Sequence, residues 1–479
     1  MSHGPEWRYV HRKRRLSIGW RCARAAFAVL GLLLCLVASV DLLRPGAIAA
    51  QADFPEPTEI RAVDGVLRTT LIAEEEESAL AGQRIKARVF NGAFVGPTLR
   101  ARPGERIELA LVNRLAEPTN LHFHGLHISP GGESDNVFRM VNPGETAQYV
   151  LEIPLTHPTG TFWYHPHQHH LALEQVFGGM SGVIIIDGLQ DQLPPDLQGI
   201  GEHLFALKDF QLEDDAILME NAPAMPTTRT VNGQINPALT MAPGETELWR
   251  LANVGAELFY QLHLDGHAFH VVAEDGNPVW DVRNADALVL PPGKRFDVLV
   301  QGGDAGTYAF KTISYDQGNH VYPEAELATL TIAGAAQPVA SLPASVAPDL
   351  DLDSAAIATT RDIFFNDVDD DPIFEINGQQ FDPNRIDAQV ELGTVEEWTI
   401  RNVTAEQHPF HLHVNDFQVI SVDGQPYNAA SLQDIVTLPA NGEVVIRAPF
   451  MDYGGKFVFH CHILFHEDHG MMAVVNAVE

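Results

Sequence analysis

One strand-and-turn unit recurs three times along this chain, and the repeat restricts the fold more than any other feature. Pro103-Gly104-Glu105 opens an alternating stretch that ends at Val112-Asn113. Pro243-Gly244-Glu245 opens one that ends at Ala252-Asn253-Val254, and Leu392-Gly393-Thr394 one that ends at Arg401-Asn402-Val403. Apolar and polar residues alternate within them, as in Arg106-Ile107-Glu108-Leu109-Ala110-Leu111-Val112, the period of a half-buried strand. Long helical periodicity is nearly absent, and 38 Gly and 31 Pro supply turns. The chain is expected to be all-β, with three homologous sandwich or barrel domains. Composition shifts near Asp187 to Pro195 and in the Ala/Pro/Ser stretch Ala333 to Pro348 place these domains at 53–188, 189–335 and 350–479. The acidic runs Glu74 to Glu77 and Asp367 to Asp371 read as solvated loops.

A second landmark separates the outer copies from the middle one. Nine residues after Asn113 and nine after Asn402 stand the His-x-His pairs His122/His124 and His411/His413. Gly160-Thr161-Phe162-Trp163-Tyr164 and Gly455-Lys456-Phe457-Val458-Phe459 lead into two more, His165/His167 and His460/His462. The middle copy reads Gly306-Thr307-Tyr308-Ala309-Phe310-Lys311, so it is expected to be a spacer or wall that binds no metal. On a strand, residues i and i+2 share a face, so each pair can address one metal cluster. Eight imidazoles exceed what one ion holds. Three ions, with two, three and three ligands, use them all in a cluster between the first and third domains.

The end of the chain adds a thiolate. Cys461, His466 and the thioether of Met471 belong to the ligand types of a blue-copper electron-transfer site. His460 and His462 flank Cys461 and point to the opposite face of a strand. A second centre must then lie behind the first, joined to it through the Cys461 backbone. Zinc would suit the imidazoles, but it has no redox use for the thiolate.

The start of the chain differs in kind. Arg12-Lys13-Arg14-Arg15, an apolar run from Ala25 to Val40 and small residues from Ala47 to Ala52 have the order of an export signal at 1–52. The expected destination is periplasmic or extracellular, with no stable membrane insertion once the signal is removed; a retained N-terminal membrane anchor is the alternative. Eight of the 30 Lys/Arg and two of the 63 Asp/Glu fall in 1–52, which leaves 22 against 61 and a net charge of −39. Such a surface repels nucleic acid and anionic membranes. Of the three cysteines only Cys461 remains, so no internal disulfide is expected.

Leu121-His122-Phe123-His124-Gly125, Trp163-Tyr164-His165-Pro166-His167, His408-Pro409-Phe410-His411-Leu412-His413 and His460-Cys461-His462 resemble the four copper-binding motifs of the multicopper oxidases. The resemblance is greatest to three-domain, bacterial, laccase-like members. It implies three cupredoxin-like Greek-key domains and four coppers. By position, a type 1 copper takes His408, Cys461, His466 and, axially, Met471. A type 2 copper takes His122 and His411. A type 3 pair takes His124, His165, His167, His413, His460 and His462. The partners implied are dioxygen and a small reducing organic substrate or metal ion.

The resemblance extends to two carboxylates, Glu467 and Asp135, as proton donors near the oxygen and water channels. On extended backbone Glu467 would face away from the type 1 site, since its neighbour His466 faces toward it. Asp434 reads as structural. The nine methionines form no cluster, which favours laccase-like oxidation of phenols or aromatic amines over cuprous-ion oxidation. A non-catalytic copper-binding protein is the further alternative.

Overall fold

The computed structural model describes residues 54–479, apart from 82, 214–215, 219–221, 223–224, 351 and 369–372. The expected export signal at 1–52 lies outside the described residues. Each copy of the repeat is a six-stranded sheet packed on a five-stranded one. In the first, apolar residues of Val66–Leu80 and Arg106–Asn113 share a core with Phe162 and Tyr164 of Gly160–His165. The architecture is all-β, as expected. Among the described residues the α-helices are two short segments, Ala172–Gly178 and Leu464–Asp468, each a few residues beyond a His-x-His pair.

The three copies share one parallel pairing. Val66–Leu80 runs parallel to Arg106–Asn113, Gly201–Phe210 to Thr246–Asn253, and Ile357–Val368 to Thr394–Asn402. Parallel neighbours need a crossover rather than a hairpin, and the repeated Pro/Leu-Gly dipeptide starts the second strand of each pair. Gly104, Gly244 and Gly393 take φ of 86°, 81° and 79°, the left-handed region that glycine enters without a Cβ clash.

The asparagine that closes each repeat is the staple of the loop behind it. Asn402 donates to the carbonyls of Glu406 (2.6 Å) and Pro439 (2.9 Å) and accepts from Thr404 N (2.9 Å). Asn113 makes the same three bonds to Glu117, Val141 and Leu115, and Asn253 to Leu258, Leu290 and Gly255. All three are buried, so each satisfies loop backbone groups that water cannot reach. In the outer copies that loop delivers the chain to its first histidine pair.

One expectation fails. Glu74 to Glu77 is not a loop but part of the strand Val66–Leu80, where Glu74, Glu75 and Glu77 pair with Arg114, Lys86 and Arg84. Basic residues on the adjoining strands and loop neutralise the run, a cross-strand arrangement that reading one strand alone does not reveal. Asp367 likewise lies in the strand Ile357–Val368, and the remaining acidic residues of that run lie outside the described residues.

Candidate metal centres

Strand alternation sorts the donors of the third sandwich into two sets. In the antiparallel pair His408–Leu412 and Gly455–Cys461, Phe410 faces Cys461 and His411 faces His460. His408 and Cys461 thus share the core face, while His411, His413 and His460 take the other. His466 returns to the core face because the chain after His462 turns through the helix Leu464–Asp468.

On the core face, Cys461 Sγ lies 3.5 Å from His408 Nδ1 and 3.6 Å from His466 Nδ1, and the two nitrogens are 3.1 Å apart. The outer nitrogens are occupied: His408 Nε2 meets Thr404 Oγ1 at 2.8 Å, and His466 Nε2 lies 3.3 Å from Glu406 Oε1. Met471 is fully buried in the same core, its backbone bonded to those of Cys461 and His466. Burial pushes the Cys461 thiol well above its ordinary range and lowers His408 to about 3. Without a cation the set is therefore a neutral thiol beside neutral imidazoles. A thiolate here requires a metal to offset its charge.

The other face meets the first sandwich. There His122 pairs across strands with His165, as His411 does with His460. The His122 ring stacks on His413 with centroids 3.9 Å apart, and His124 stacks on His411 at 3.8 Å. All eight imidazoles are buried. Burial, and for most of them mutual repulsion, holds each below its ordinary pKa. They are neutral, the form that binds metal.

Their hydrogen bonds test whether metal fits. The Nδ1 atoms of His165, His411 and His460 lie 2.8, 2.8 and 2.9 Å from the carbonyls of Pro166, Asp434 and Cys461. A carbonyl only accepts, so each Nδ1 carries the hydrogen and each Nε2 presents a lone pair. Nε2 of His165 and of His411 then has no partner, and neither does Nε2 of His122. His460 Nε2 faces Nε2 of His413 at 3.0 Å and of His167 at 3.3 Å, and His462 Nε2 faces His124 Nδ1 at 3.2 Å. Two nitrogens on one ion with bonds of about 2.0–2.1 Å sit about 2.9–3.4 Å apart. Convergent buried lone pairs at that separation fit metal ions, and the carbonyls behind them are the outer partners that ligating imidazoles use.

The two carboxylates singled out from sequence lie at this cluster. Both oxygens of Asp135 are 3.0 Å from His122 Nδ1, and burial raises its pKa to about 8. Glu467 is fully buried, 3.2 Å from His460 Nδ1 and 3.5 Å from His167 Nδ1. The angles are wrong for hydrogen bonds, so both its oxygens lack a donor, and burial pushes its carboxyl well above the usual range. It sits on a helix rather than on extended backbone. It reaches the cluster because the helix turns it away from His466.

Other residues at these sites carried no sequence signal. Asp434 is not merely structural: its carboxylate takes His124 Nε2 at 3.1 Å and its carbonyl takes His411 Nδ1. Glu406 reaches His466 from two positions before His408. Glu406 and His466 line a cavity of about 200 Å³ with Glu257, His320, Tyr322 and Phe465. In the middle repeat, His263 and His267 turn Nδ1 to the carbonyls of Asp286 and Asp265, and His270 to Asn284. His127, near the first motif, bonds the Val414 carbonyl and so ties the first repeat to the third.

Family models described as multicopper oxidase match residues 72–191, 198–335 and 351–479. The multicopper oxidase mco of Staphylococcus haemolyticus (strain JCSC1435) is 27% identical over 401 residues, 81% of this chain and 83% of that protein. Cell division protein FtsP of Escherichia coli (strain K12) is 28% identical over 412 residues, 82% and 85% of the two chains. The solved multicopper oxidase from Campylobacter jejuni, described as a metallo-oxidase, superposes with a TM-score of 0.79 at 25% identity. That superposition covers 90% of this chain and 96% of the other.

Proposed function

We propose that this chain, which belongs to the multicopper oxidase family, oxidises a small reducing substrate one electron at a time and passes four electrons to dioxygen, forming water. The observation that carries this reading is the pair of buried donor sets placed back to back across Cys461. His408, Cys461 and His466, with Met471 as the weak fourth donor, would hold one copper. His122 and His411 would hold a second. His167, His413 and His460 would hold a third, and His124, His165 and His462 a fourth. Bound copper supplies one-electron redox chemistry at the thiolate set and dioxygen reduction at the imidazole set.

The chain's own groups do the rest. From Cys461 Sγ a covalent path runs through the Cys461 backbone to His460 on one side and His462 on the other, so electrons need not cross a gap through space. Glu467, its pKa pushed well above the usual carboxylate range by burial, can hold a proton beside His460 and His167, where dioxygen reduction consumes protons. Asp135 can hold another beside His122.

The cavity beside His466 is the entry point for the reducing substrate, and its size suits a single aromatic ring, a phenol or an aromatic amine. Glu257, Glu406 and His320 support a second reading, a metal-ion substrate. These are oxygen and nitrogen donors with no thioether among the lining residues, so the ion would be Fe(II)-like rather than Cu(I). The order of residues 12–52 supports export, and among the described residues no helix is long and apolar enough to cross a membrane.

The test is metal analysis followed by oxygen uptake with phenols, aromatic amines, Fe(II) and Cu(I) side by side. Four coppers per chain and substrate-dependent oxygen uptake are expected. Copper binding with no uptake on any donor would leave a non-catalytic copper protein.

A further inference from the structure

The middle repeat has none of the ligand histidines, yet its turn at Pro291-Pro292-Gly293-Lys294 lies against the imidazole cluster. A Cβ on Gly293 would come within 3.1 Å of His124 and 3.2 Å of His462. The next residue, Arg295, is fully buried and places its guanidinium where all three repeats meet. Its Nη1 and Nη2 donate to the two oxygens of Asp434 at 2.8 and 2.6 Å, and its Nε donates to the Thr161 carbonyl at 3.1 Å. Gly125, immediately after His124, packs on this ion pair so closely that any side chain there would overlap it.

We infer that Arg295 is a positioning residue for the copper cluster, acting through Asp434 on His124 and His411. The inference rests on the copper reading of the eight imidazoles. Asp434 reaches two ligands by different atoms. Its carboxylate accepts from His124 Nε2, which leaves the His124 Nδ1 lone pair aimed at His462 Nε2, 3.2 Å away. Its carbonyl accepts from His411 Nδ1 at 2.8 Å, which aims the unpartnered Nε2 the other way. The tautomers of one imidazole of the type 3 pair and one at the type 2 position thus depend on where Asp434 stands. The planar fork of an arginine fixes both carboxylate oxygens at once. Asp275 bonds the Arg295 backbone N at 3.2 Å and Lys294 Nζ at 2.8 Å, so the middle repeat holds the fork in turn. The middle sandwich is part of the cluster's frame, not a spacer.

The test compares Arg295→Lys, which keeps the charge and loses the fork, and Asp434→Asn, which keeps the shape, with Arg250→Lys as control. Arg250 is equally buried and bridges Asp297 and Glu202 without touching the cluster. All are loaded with copper, stripped stepwise by a chelator and followed by EPR, with melting temperatures recorded. Arg295→Lys and Asp434→Asn should hold type 2 copper about 10–100-fold more weakly, the usual range for outer partners of a ligand. The signal of the thiolate copper should stay unchanged. Arg250→Lys should lower the melting temperature and leave the copper signals alone. Wild-type copper retention and an unaltered type 2 signal in both cluster variants would overturn the inference. So would equal copper loss in Arg250→Lys, which would mean that any loosening of the middle repeat suffices. If the wild-type protein takes copper only at the thiolate set, it is the copper reading of the imidazoles that has failed, and the inference falls with it.

Discussion

Replacing Glu467 by Gln separates the proton from the shape. The side chain is fully buried, neither oxygen has a hydrogen-bond donor, and burial with the neighbouring Asp468 keeps the carboxyl protonated well above its ordinary range. An amide of the same size brings in no charge but adds one buried N–H donor, so the fold should lose about 1–3 kcal/mol, the cost of leaving such a donor without a partner. The pH dependence is the sharper measure. A carboxyl whose pKa is higher folded than unfolded stabilises fully below its unfolded value of 4.5, and that contribution is lost as pH rises through the folded value. Within that window one such group tilts stability by up to about 1.4 kcal/mol per pH unit. In urea melts of copper-free protein as pH rises above the unfolded value of 4.5, wild type should lose stability more steeply than E467Q by up to that slope. Asp135, held near 8 by its own burial, is common to both proteins and drops out of the difference. With copper bound, E467Q should keep its metal content and its rate of reduction by substrate. Re-oxidation by dioxygen should slow by about 10²–10⁴-fold, the range for loss of a positioned acid. Equal slopes in urea would show that the carboxyl is not protonated when folded, and re-oxidation within about twofold of wild type would remove Glu467 from the proton route.

Cys461→Ser should give a folded, colourless protein that retains the coppers of the imidazole cluster and oxidises no substrate; a variant that is still blue, or still turns over near the wild-type rate, would refute the Cys461 path. Asn402→Ala removes the side chain that donates to the Glu406 and Pro439 carbonyls and accepts from Thr404, at about 1 kcal/mol for each lost bond. Because that loop carries Glu406 to His408, thiolate-site copper should weaken as well, whereas Asn253→Ala should cost similar stability in thermal melts without touching that copper. Anomalous scattering at the copper edge should show peaks at the thiolate set and the imidazole cluster. A peak among His263, His267 and His270 would show that the middle repeat binds metal after all.

Much of this molecule is legible in the sequence, because its signals have the strand's own period. A spacing of two residues puts His122 with His124, and His411 with His413, on one face, and the same alternation sends Cys461 the opposite way from His460 and His462. The Asn-closed repeat announced three copies of one sandwich because Asn113, Asn253 and Asn402 each make bonds within a few dozen residues of themselves. What depends on contacts between distant segments left no such trace. Arg295 and Asp434 are 139 residues apart, and neither has a local pattern that names the other. Asp434 therefore read as structural, and the middle repeat as a wall. Glu406 has no local pattern that ties it to a ligand; folding lays it on His466 beside a cavity whose other lining comes partly from the middle repeat. Glu467 shows the division within one residue. Its place next to a ligand histidine made it a candidate, but only the turn of the helix Leu464–Asp468 points it at His460, and only burial by neighbouring repeats keeps its proton on.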